Sequence, residues 1–307
     1  MAVGFIIPNN RTFWVVDKKK LRTIYPKTMH KKTVLITGPT SGIGKITALE
    51  LAKRNFNLIF LARNAQKAEA LQKEIGTKTE TSFVACDLSS LESVHRAVEQ
   101  IRQHHRQIDV LVNNAGLMMD QEEYSPEGVE MTFATNHLGH FLLTNGITDL
   151  LAAGTNSRIV HVSSEAHRIG KFHLDQLDRP DKFSSWVTYG NSKLANILFS
   201  NELAERLRPL GITSNALHPG GVATNFASET SGLSKLMMFL ARPFFKSPEE
   251  GARTSIYLAS SPQVEGVTKE YFSDLKIKKP NQEAQSNYLA TKLWEMSEEL
   301  VKDYANA

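Results

Sequence analysis

Residues 33–44 read TVLITGPTSGIG, and this stretch decides the fold. Its first five residues are apolar or β-branched, which is typical of a buried strand, and the glycines and Pro39 predict a tight turn. A helical spacing of apolar residues then runs from residue 43 to residue 55. Glycines at such a turn let the backbone approach a pyrophosphate, while the first N–H groups of the helix carry partial positive charge toward it. The stretch therefore predicts a dinucleotide site, against the alternative of a glycine-rich turn that holds no ligand.

The same alternation of strands and helices continues along the chain. Further strands are predicted over Asn57–Ala62, Thr81–Ala85 and residues 109–113, 158–163, 212–217 and 271–272, the last being the weakest. Predicted helices include one to about Ile75, one capped by Ser89 or Ser90 with Glu92 in a capping box, one capped by Ser247, and residues 129–151 and 188–207. Strands that are apolar throughout need cover on both faces. We therefore predict an α/β fold, a single doubly wound (Rossmann-type) parallel sheet of about seven strands with helices on both faces.

The composition is that of a globular protein. The chain has 307 residues, of which 41% are hydrophobic and 22% charged. Its single cysteine, Cys86, excludes an intramolecular disulfide and a thiolate zinc site, and we expect it to fill the end of an apolar strand. Apolar runs are all shorter than the roughly 18 residues that a membrane span needs. We therefore expect a soluble, cytoplasmic protein without a transmembrane segment.

The positive charge is concentrated at the N-terminus. Residues 1–32 hold eight Lys and Arg against Asp17 alone, a net charge of +7, so the rest of the chain carries −3 out of the total of +4. This distribution argues against nucleic-acid binding. The segment has no long helical or strand period, and an extended start or a loose arm accounts for it better than a targeting peptide. We expect a basic arm over residues 1–32, one catalytic domain over 33–281 and a helical tail over 282–307.

Several further motifs follow in order along the chain. They are Asp87, the NNAG sequence of residues 113–116, Asn136, Ser164, the YGNSK sequence of residues 189–193, and Pro219 with Gly220. Together with the glycine motif T-G-x-x-x-G-x-G, they make the chain resemble the short-chain dehydrogenase/reductase family from Thr33 to about Asn281. Residues 136–141 (NHLGHF), 163–168 (SSEAHR) and 217–220 (LHPG) are most similar to the branch of retinol dehydrogenases and of chloroplast-envelope and WW-domain oxidoreductases.

Tyr189 and Lys193 are four residues apart on a predicted helix, so their side chains share one face. A nearby ammonium favours phenolate and is expected to lower the tyrosine pKa from its usual value of about 10. Taken alone, the pair could also be a solvated helix face. The resemblance implies that Tyr189 exchanges a proton with the substrate, Lys193 also bonds the nicotinamide ribose, Ser164 steadies the substrate oxygen and Asn136 holds a water in a proton relay. The implied reaction is hydride transfer.

Cofactor choice is predicted from charge. Sites that prefer NAD use a carboxylate near the end of the second strand. In this chain the second predicted strand, Asn57–Ala62, is followed by Arg63 and Asn64 instead. A guanidinium suits a 2′-phosphate, so we predict NADP(H); Lys45 either helps or is a solvated helix residue. The resemblance implies the following contacts: Gly38, Thr40, Ser41, Gly42, Ile43, Gly44, Arg63, Asn64, Asp87, Leu88, Asn114, Ala115, Gly116, Tyr189, Lys193, Pro219, Gly220, Val222 and Thr224. For Thr224 a simple loop position is the alternative.

Two variable segments bear on the substrate. The stretch between Ser164 and Tyr189 is longer than the family pattern, and we expect the insertion, residues 165–187, to form one wall of the active site with His167, His173, Leu177 and Trp186. Residues 227–246, apolar and rich in Met, take the place of the family's substrate lid. They favour a lipophilic substrate or a partner surface, although an amphipathic helix packed on the core fits equally well.

Two functions agree with these motifs. The first is an oxidoreductase that acts on a lipophilic carbonyl or alcohol. The second is an NADP(H)-binding, redox-sensing interaction protein with slow turnover, and a homodimer is compatible with both. No metal is expected, because neither His104 with His105 nor His137 with His140 lies in a metal-binding motif.

Overall fold

A hairpin lies at the N-terminal end of the part of the chain that the computed structural model describes, which comprises residues 3–7, 11–15, 31–221 and 246–305. Strand β1 (Val3–Ile7) pairs antiparallel with β2 (Arg11–Val15), and the two form a sheet of their own. The segment has no long strand period, so the hairpin was not predicted from the sequence. Strands of the same length, such as Thr33–Thr37, could be predicted because a glycine-rich turn and a helical spacing follow them, whereas residues 1–32 show no long helical period.

A second sheet contains eight strands. They are β3 (Thr33–Thr37), β4 (Asn57–Ala62), β5 (Thr81–Ala85), β6 (Val110–Asn113), β7 (Arg158–Val162), β8 (Thr213–His218), β9 (Tyr271–Ser273) and β10 (Lys276–Ile277). Their order is β10-β9-β8-β7-β6-β3-β4-β5, and all neighbours are parallel except β9 and β10. The predicted doubly wound parallel sheet is confirmed. The count of seven was one too few, because two residues of β10 carry no periodic signal.

The strand order reverses between β3 and β6, which pair side by side with Ile36 opposite Val112. In a doubly wound sheet, the loops that follow the two strands at such a reversal separate and leave a crevice. The glycine-rich turn follows β3 and the NNAG sequence follows β6. The topology thus brings the two motifs to one crevice.

Helices cover both faces of the eight-stranded sheet. They are α1 (Gly42–Lys53), α2 (Ala65–Ile75), α3 (Leu91–His104), α4 (Met131–Phe133), α5 (Gly139–Gly146), α6 (Thr148–Ala153), α7 (Ser185–Arg206), α8 (Pro248–Ser260) and α9 (Asn287–Ala305). Successive residues of β3 belong to different apolar clusters, with Leu35 packed on the side of α7 and Ile36 on the side of α1 and α8. In the described ranges, no helix is both long and apolar enough to cross a membrane.

The segment predicted as one helix over residues 129–151 is interrupted. A π-helical turn, Ala134–Leu138, joins α4 to α5, and α6 starts only after Ile147. At Gly139, an added Cβ would lie 2.2 Å from the carbonyl oxygen of Leu88, so glycine allows this helix to approach the loop after β5. π-Helical turns insert one extra residue per turn and are frequent at functional sites, which an apolar period does not reveal.

The two predicted helix caps have different outcomes. Ser247 caps α8 in a complete capping box with Glu250, as predicted. Ser90 caps α3, but its hydroxyl accepts from the N–H of Ser93, so Glu92 is one position too early for the box and instead pairs with Arg96 at 3.5 Å. The prediction for Glu92 was wrong because it assumed that the helix starts one residue earlier.

Candidate active site

The glycine-rich turn packs directly against the loop after β6. Gly38 has a φ of +63°, and a Cβ there would lie 3.1 Å from the Cα of Ala115. A Cβ on Gly44 would lie 2.2 Å from the carbonyl oxygen of Gly38 and 2.5 Å from Asn114 Nδ2. Thr40, Gly42 and Ile43 are half-buried and Ser41 is exposed in the same turn. Glycine is therefore required at both positions, by the turn and by the lack of space.

Thr37 fixes this packing, although sequence reasoning did not name it as a site residue. Its Oγ1 accepts hydrogen bonds from the backbone N–H groups of Asn114 and Ala115, both at 2.9 Å. The Asn114 side chain donates in return to the carbonyl oxygens of Thr37 at 2.9 Å and Gly38 at 3.2 Å. The one signal for Thr37 was its place as the first residue of the glycine motif.

Ser164, Tyr189 and Lys193 meet at the carboxyl end of β7. Ser164 follows this strand and begins the short helical turn Glu165–Arg168, while the other two lie on α7. A side-chain hydrogen bond joins Ser164 and Tyr189. The Lys193 ammonium lies 5.5 Å from the centroid of the Tyr189 ring and donates to the carbonyl oxygen of Val162 at 3.1 Å. The three side chains that the sequence predicted to act together are in one place.

Burial dominates the titration of these groups. It raises the pKa of Tyr189 above its usual value, while the hydrogen bond with Ser164 acts in the opposite direction. Burial also lowers the pKa of Lys193 to about 8. The net shift of the Tyr189 pKa is therefore upward, opposite to the lowering that the sequence predicted. The ammonium faces the ring and the Val162 carbonyl, and the phenol hydroxyl loses the water that would solvate phenolate.

Asn136 is fully buried, and its side chain holds the loop after the NNAG sequence. Its Nδ2 donates to the carbonyl oxygen of Leu117 at 2.8 Å and to Ser192 Oγ at 2.9 Å, so both amide hydrogens are used. Its Oδ1 accepts from the N–H of Leu117 at 2.8 Å. The side-chain N–H groups thus serve the protein itself, and a water bound by Asn136, as the resemblance implied, would have to use other atoms of the residue.

Comparison with known proteins identifies the family of the chain. The profile of the short chain dehydrogenase family matches residues 32–232, more than half of the chain. The chain belongs to the short-chain dehydrogenase family. It is 41% identical to human retinol dehydrogenase 14 over 295 residues, covering 90% of this chain and 88% of that one. It is 36% identical to the WW domain-containing oxidoreductase of Drosophila melanogaster over 294 residues, covering 92% and 71%.

A solved structure also resembles this chain. The crystal structure of an uncharacterized protein from Mycobacterium Paratuberculosis superposes with a TM-score of 0.72 at 33% identity, covering 90% of this chain and 95% of that one. Together with the relatives, it confirms the predicted family and its retinol dehydrogenase-like branch. The protein is thus a short-chain dehydrogenase/reductase, an oxidoreductase of alcohol and carbonyl groups.

In this short-chain dehydrogenase, Arg63 and Asp87 share a cavity of about 510 Å³ beside β5. Its remaining lining residues are Ala85, Cys86, Ser93, Arg96, Ala97 and Gln100. Arg63 is exposed, and the Asp87 carboxylate accepts from the N–H and the hydroxyl of Ser89 at 3.0 and 2.7 Å. Cys86 is buried, as expected, and burial raises the pKa of its thiol to about 12.

Two predicted contacts of the short-chain dehydrogenase site have partners within the protein. The Asn64 side chain caps α2 by accepting from the N–H of Lys67 at 2.8 Å. The Lys45 ammonium pairs with Glu74 at 2.8 Å, which favours the structural alternative for Lys45. Both side chains are therefore less available to a ligand than the sequence suggested.

The predicted cofactor loop after β8 is only partly described. Gly220 has a φ of +91°, and a Cβ there would lie 2.6 Å from Lys246 Cδ, so glycine after Pro219 lets Lys246 approach and pair with Asp274. The predicted contacts Val222 and Thr224, and the lid up to residue 245, lie outside the described residues.

The insertion over residues 165–187 packs on α7, the helix that carries Tyr189 and Lys193. A Cβ on Gly190 would lie 2.7 Å from the carbonyl oxygen of Ala166. His167 is fully buried, and its Nδ1 lies 2.7 Å from the carbonyl oxygen of Ser164 while its Nε2 accepts from the N–H of Asn281 at 3.2 Å. Sequence reasoning placed His167 on a wall of the site; its contacts place it behind Ser164. Of the others, Leu177 is buried in the core, whereas His173 and Trp186 are exposed.

Proposed function

We propose that the protein is an NADP(H)-dependent oxidoreductase that transfers a hydride between nicotinamide and a lipophilic carbonyl or alcohol. The observation that carries this proposal is the hydrogen bond between Ser164 and Tyr189, with the buried Lys193 ammonium 5.5 Å from the centroid of the Tyr189 ring. The hydroxyl groups of Ser164 and Tyr189 could both contact one substrate oxygen, close to the positive charge of Lys193. This is the arrangement that general acid catalysis at a carbonyl requires.

The residues fit a nicotinamide dinucleotide. A Cβ on Gly116 would lie 3.1 Å from both Lys193 Nζ and Asn136 Oδ1, so glycine leaves space beside the ammonium. At the other end of the crevice, Gly38 and Gly44 bring the first turn of α1 close to the loop after β6. The N–H groups of that turn would hold the pyrophosphate, and Lys193 would bond the ribose. When bound, the nicotinamide carries the hydride to or from the substrate carbon.

Tyr189 would be the proton donor for reduction. Because burial raises its pKa, the phenol is protonated at neutral pH and can donate to a carbonyl oxygen. Ser164 would donate its one hydroxyl hydrogen to the same oxygen and disperse the negative charge that develops there. Lys193, with a pKa of about 8, is mostly charged at pH 7 and would stabilise the phenolate that remains.

The preference for NADP(H) rests on Arg63. Its guanidinium is exposed at the carboxyl end of β4 and lines the same cavity as Asp87 and Arg96. Arg63 occupies the region where NAD sites carry an acidic residue, and it offers a planar pair of donors to a phosphate. With Asn64 used as a helix cap, Arg63 is the group best suited to bind a 2′-phosphate.

A lipophilic substrate is supported by the relatives and by the surface near α7. Retinol dehydrogenases are named for a lipophilic alcohol. In this chain, the exposed apolar side chains Ile169 (49%) and Trp186 (46%) belong to the insertion and to the first turn of α7, the helix that carries Tyr189. Exposed apolar groups beside a catalytic residue favour an apolar substrate.

A panel of hydrophobic aldehydes and ketones, followed by the loss of NADPH and NADH absorbance, tests the proposal. We expect turnover with NADPH, and we expect it to be faster than with NADH. Tight NADPH binding without turnover of any carbonyl or alcohol would instead favour a redox-sensing interaction protein. Faster turnover of short hydrophilic carbonyls would contradict the lipophilic substrate class.

A further inference from the structure

A buried histidine lies between the glycine-rich turn and Asn136. His140 belongs to α5 and is 1% exposed. One ring nitrogen, Nε2, lies 2.9 Å from Thr37 Oγ1, and the other, Nδ1, lies 3.0 Å from the backbone carbonyl oxygen of Asn136. The ring therefore joins two parts of the site that are far apart in sequence. Burial keeps it neutral at physiological pH by lowering its pKa to about 4.

The hydrogen bonds of Thr37 determine which nitrogen carries the proton. A hydroxyl oxygen has two lone pairs and one hydrogen. Both lone pairs of Thr37 Oγ1 accept backbone N–H groups, from Asn114 and Ala115. Its hydrogen must therefore point to an acceptor, and His140 Nε2 at 2.9 Å is closer than the carbonyl oxygen of Val112 at 3.4 Å.

The hydrogen bond at Nε2 also determines the protonation of the other ring nitrogen, Nδ1. If Nε2 accepts, then the proton of the neutral imidazole is on Nδ1. Nδ1 then donates to the Asn136 carbonyl oxygen, which can only accept. The result is one directed series of hydrogen bonds, from the N–H groups of Asn114 and Ala115 through Thr37 and His140 to the main chain of Asn136.

We propose that His140 is a positioning residue that, protonated on Nδ1, couples the loop after β6 to Asn136 and so to the space beside Lys193. The proposal rests on the proposed function for the reaction that it supports. The coupling reaches Lys193 because Asn136 Oδ1 and Lys193 Nζ lie beside the same glycine: an added Cβ on Gly116 would be 3.1 Å from each of them. We call the series Asn114/Ala115–Thr37–His140–Asn136 the His140 relay of hydrogen bonds.

The tautomer can be measured without substrate or cofactor. In a long-range ¹H–¹⁵N correlation spectrum of the protein at pH 7, His140 is expected to show a protonated Nδ1 and an unprotonated Nε2. His140→Gln identifies the signal. A ring protonated on Nε2, or on both nitrogens, would overturn the proposal whatever the enzyme's activity. A failure of the proposed function, by contrast, would leave this spectrum unchanged.

Kinetics test the coupling itself. His140→Leu removes both hydrogen bonds of the ring. Thr37 and the Asn136 carbonyl oxygen would then be buried without their partner, and we expect them to shift and kcat to fall by about 10- to 100-fold. Thr37→Val is expected to lower kcat similarly, and Thr37→Ser, which keeps the hydroxyl, to restore it to within about threefold. The double variant His140→Leu/Thr37→Val is expected to lose little more than the worse single variant, because both break one series. Losses that multiply would contradict the coupling.

His137 supplies the matched control. It lies in the same helical run and is 0% exposed, and its Nε2 bonds Ser297 Oγ on α9 at 2.8 Å, away from the His140 relay. His137→Leu is expected to lower the melting temperature about as much as His140→Leu and to keep kcat within about twofold. If the two variants lose equal stability and equal kcat, then His140 has only a structural role. If His140→Leu does not fold, the spectrum and the Thr37→Ser variant still test the proposal.

Discussion

The Lys193 ammonium lies 5.5 Å from the centroid of the Tyr189 ring and points its hydrogen bond at the Val162 carbonyl oxygen. The cation therefore faces the ring of the tyrosine. Burial can then keep the phenol protonated while a positive charge stays close enough to stabilise its conjugate base. A buried phenol of this kind is better prepared to donate a proton than to accept one.

Replacement of the phenol tests the proton donor. Tyr189→Phe removes the hydroxyl that exchanges the proton, and we expect kcat to fall by at least about 10²-fold, with cofactor affinity almost unchanged. Steady-state kinetics and NADPH titration measure the two effects. Tyr257→Phe on α8, whose hydroxyl donates to Gln263, is the control and is expected to keep kcat. Near-normal turnover by Tyr189→Phe would refute the assignment.

Charge reversal at Arg63 tests the predicted preference for NADP(H) over NAD(H). The wild type is expected to prefer NADPH over NADH, and Arg63→Asp to reverse that order. Charge-assisted contacts with phosphate contribute about 1.5–3 kcal/mol, or about 10- to 150-fold in the ratio of kcat/KM values, and the new carboxylate adds repulsion. Lys45→Ala is the control, because its ammonium is paired with Glu74, and should change the ratio less than about threefold. Equal use of NADH by the wild type contradicts the prediction.

Buried histidines predict a loss of stability in acid. Burial lowers the pKa of His137 to about 3 and of His140 to about 4, whereas both titrate near 6.5 in the unfolded chain. Between about pH 6.5 and pH 4 the unfolded state thus binds more protons, so the free energy of unfolding falls as the pH falls, by up to about 1.4 kcal/mol per pH unit for each histidine.

Urea denaturation at pH 7, 6 and 5 measures this dependence. His137→Phe keeps an aromatic ring in the cluster with Phe133 and Phe141 but cannot take up a proton. Its free energy of unfolding is expected to fall less steeply with pH than that of the wild type, by about 1.4 kcal/mol per pH unit near pH 5. Identical slopes would show that His137 does not stay neutral in the fold.

Removal of the N-terminal arm tests the domain boundary. The hairpin of β1 and β2 forms its own sheet, separate from the eight-stranded sheet that starts at Thr33. A chain that starts at Met29 is therefore expected to keep its melting temperature within about 2 °C and its activity. Thermal denaturation and the carbonyl assay check this, and loss of soluble protein would show that the arm contributes to folding.

Several features could be predicted from the sequence because they depend on local spacing. The glycine-rich turn after Thr33–Thr37 can be read within one stretch of sequence, and the four-residue spacing of Tyr189 and Lys193 places them on one face of one helix. The alternation of apolar strands and helices predicts the parallel sheet in the same way, because the spacing of apolar residues shows which face of each element is buried. The sequence thus determined the fold and the family, and it located Ser164, Tyr189 and Lys193, which the structure brings together.

The directions of the electrostatic effects and the contacts between distant segments were decided by the tertiary structure. The pKa of Tyr189 is raised because burial removes water from the phenol, a cost that spacing along a helix does not report. The bond between Thr37 at the end of β3 and His140 on α5 joins residues 103 positions apart, and only the folded chain brings them together. Hydrogen bonds act over about 3 Å, so only the folded chain decides which polar groups meet.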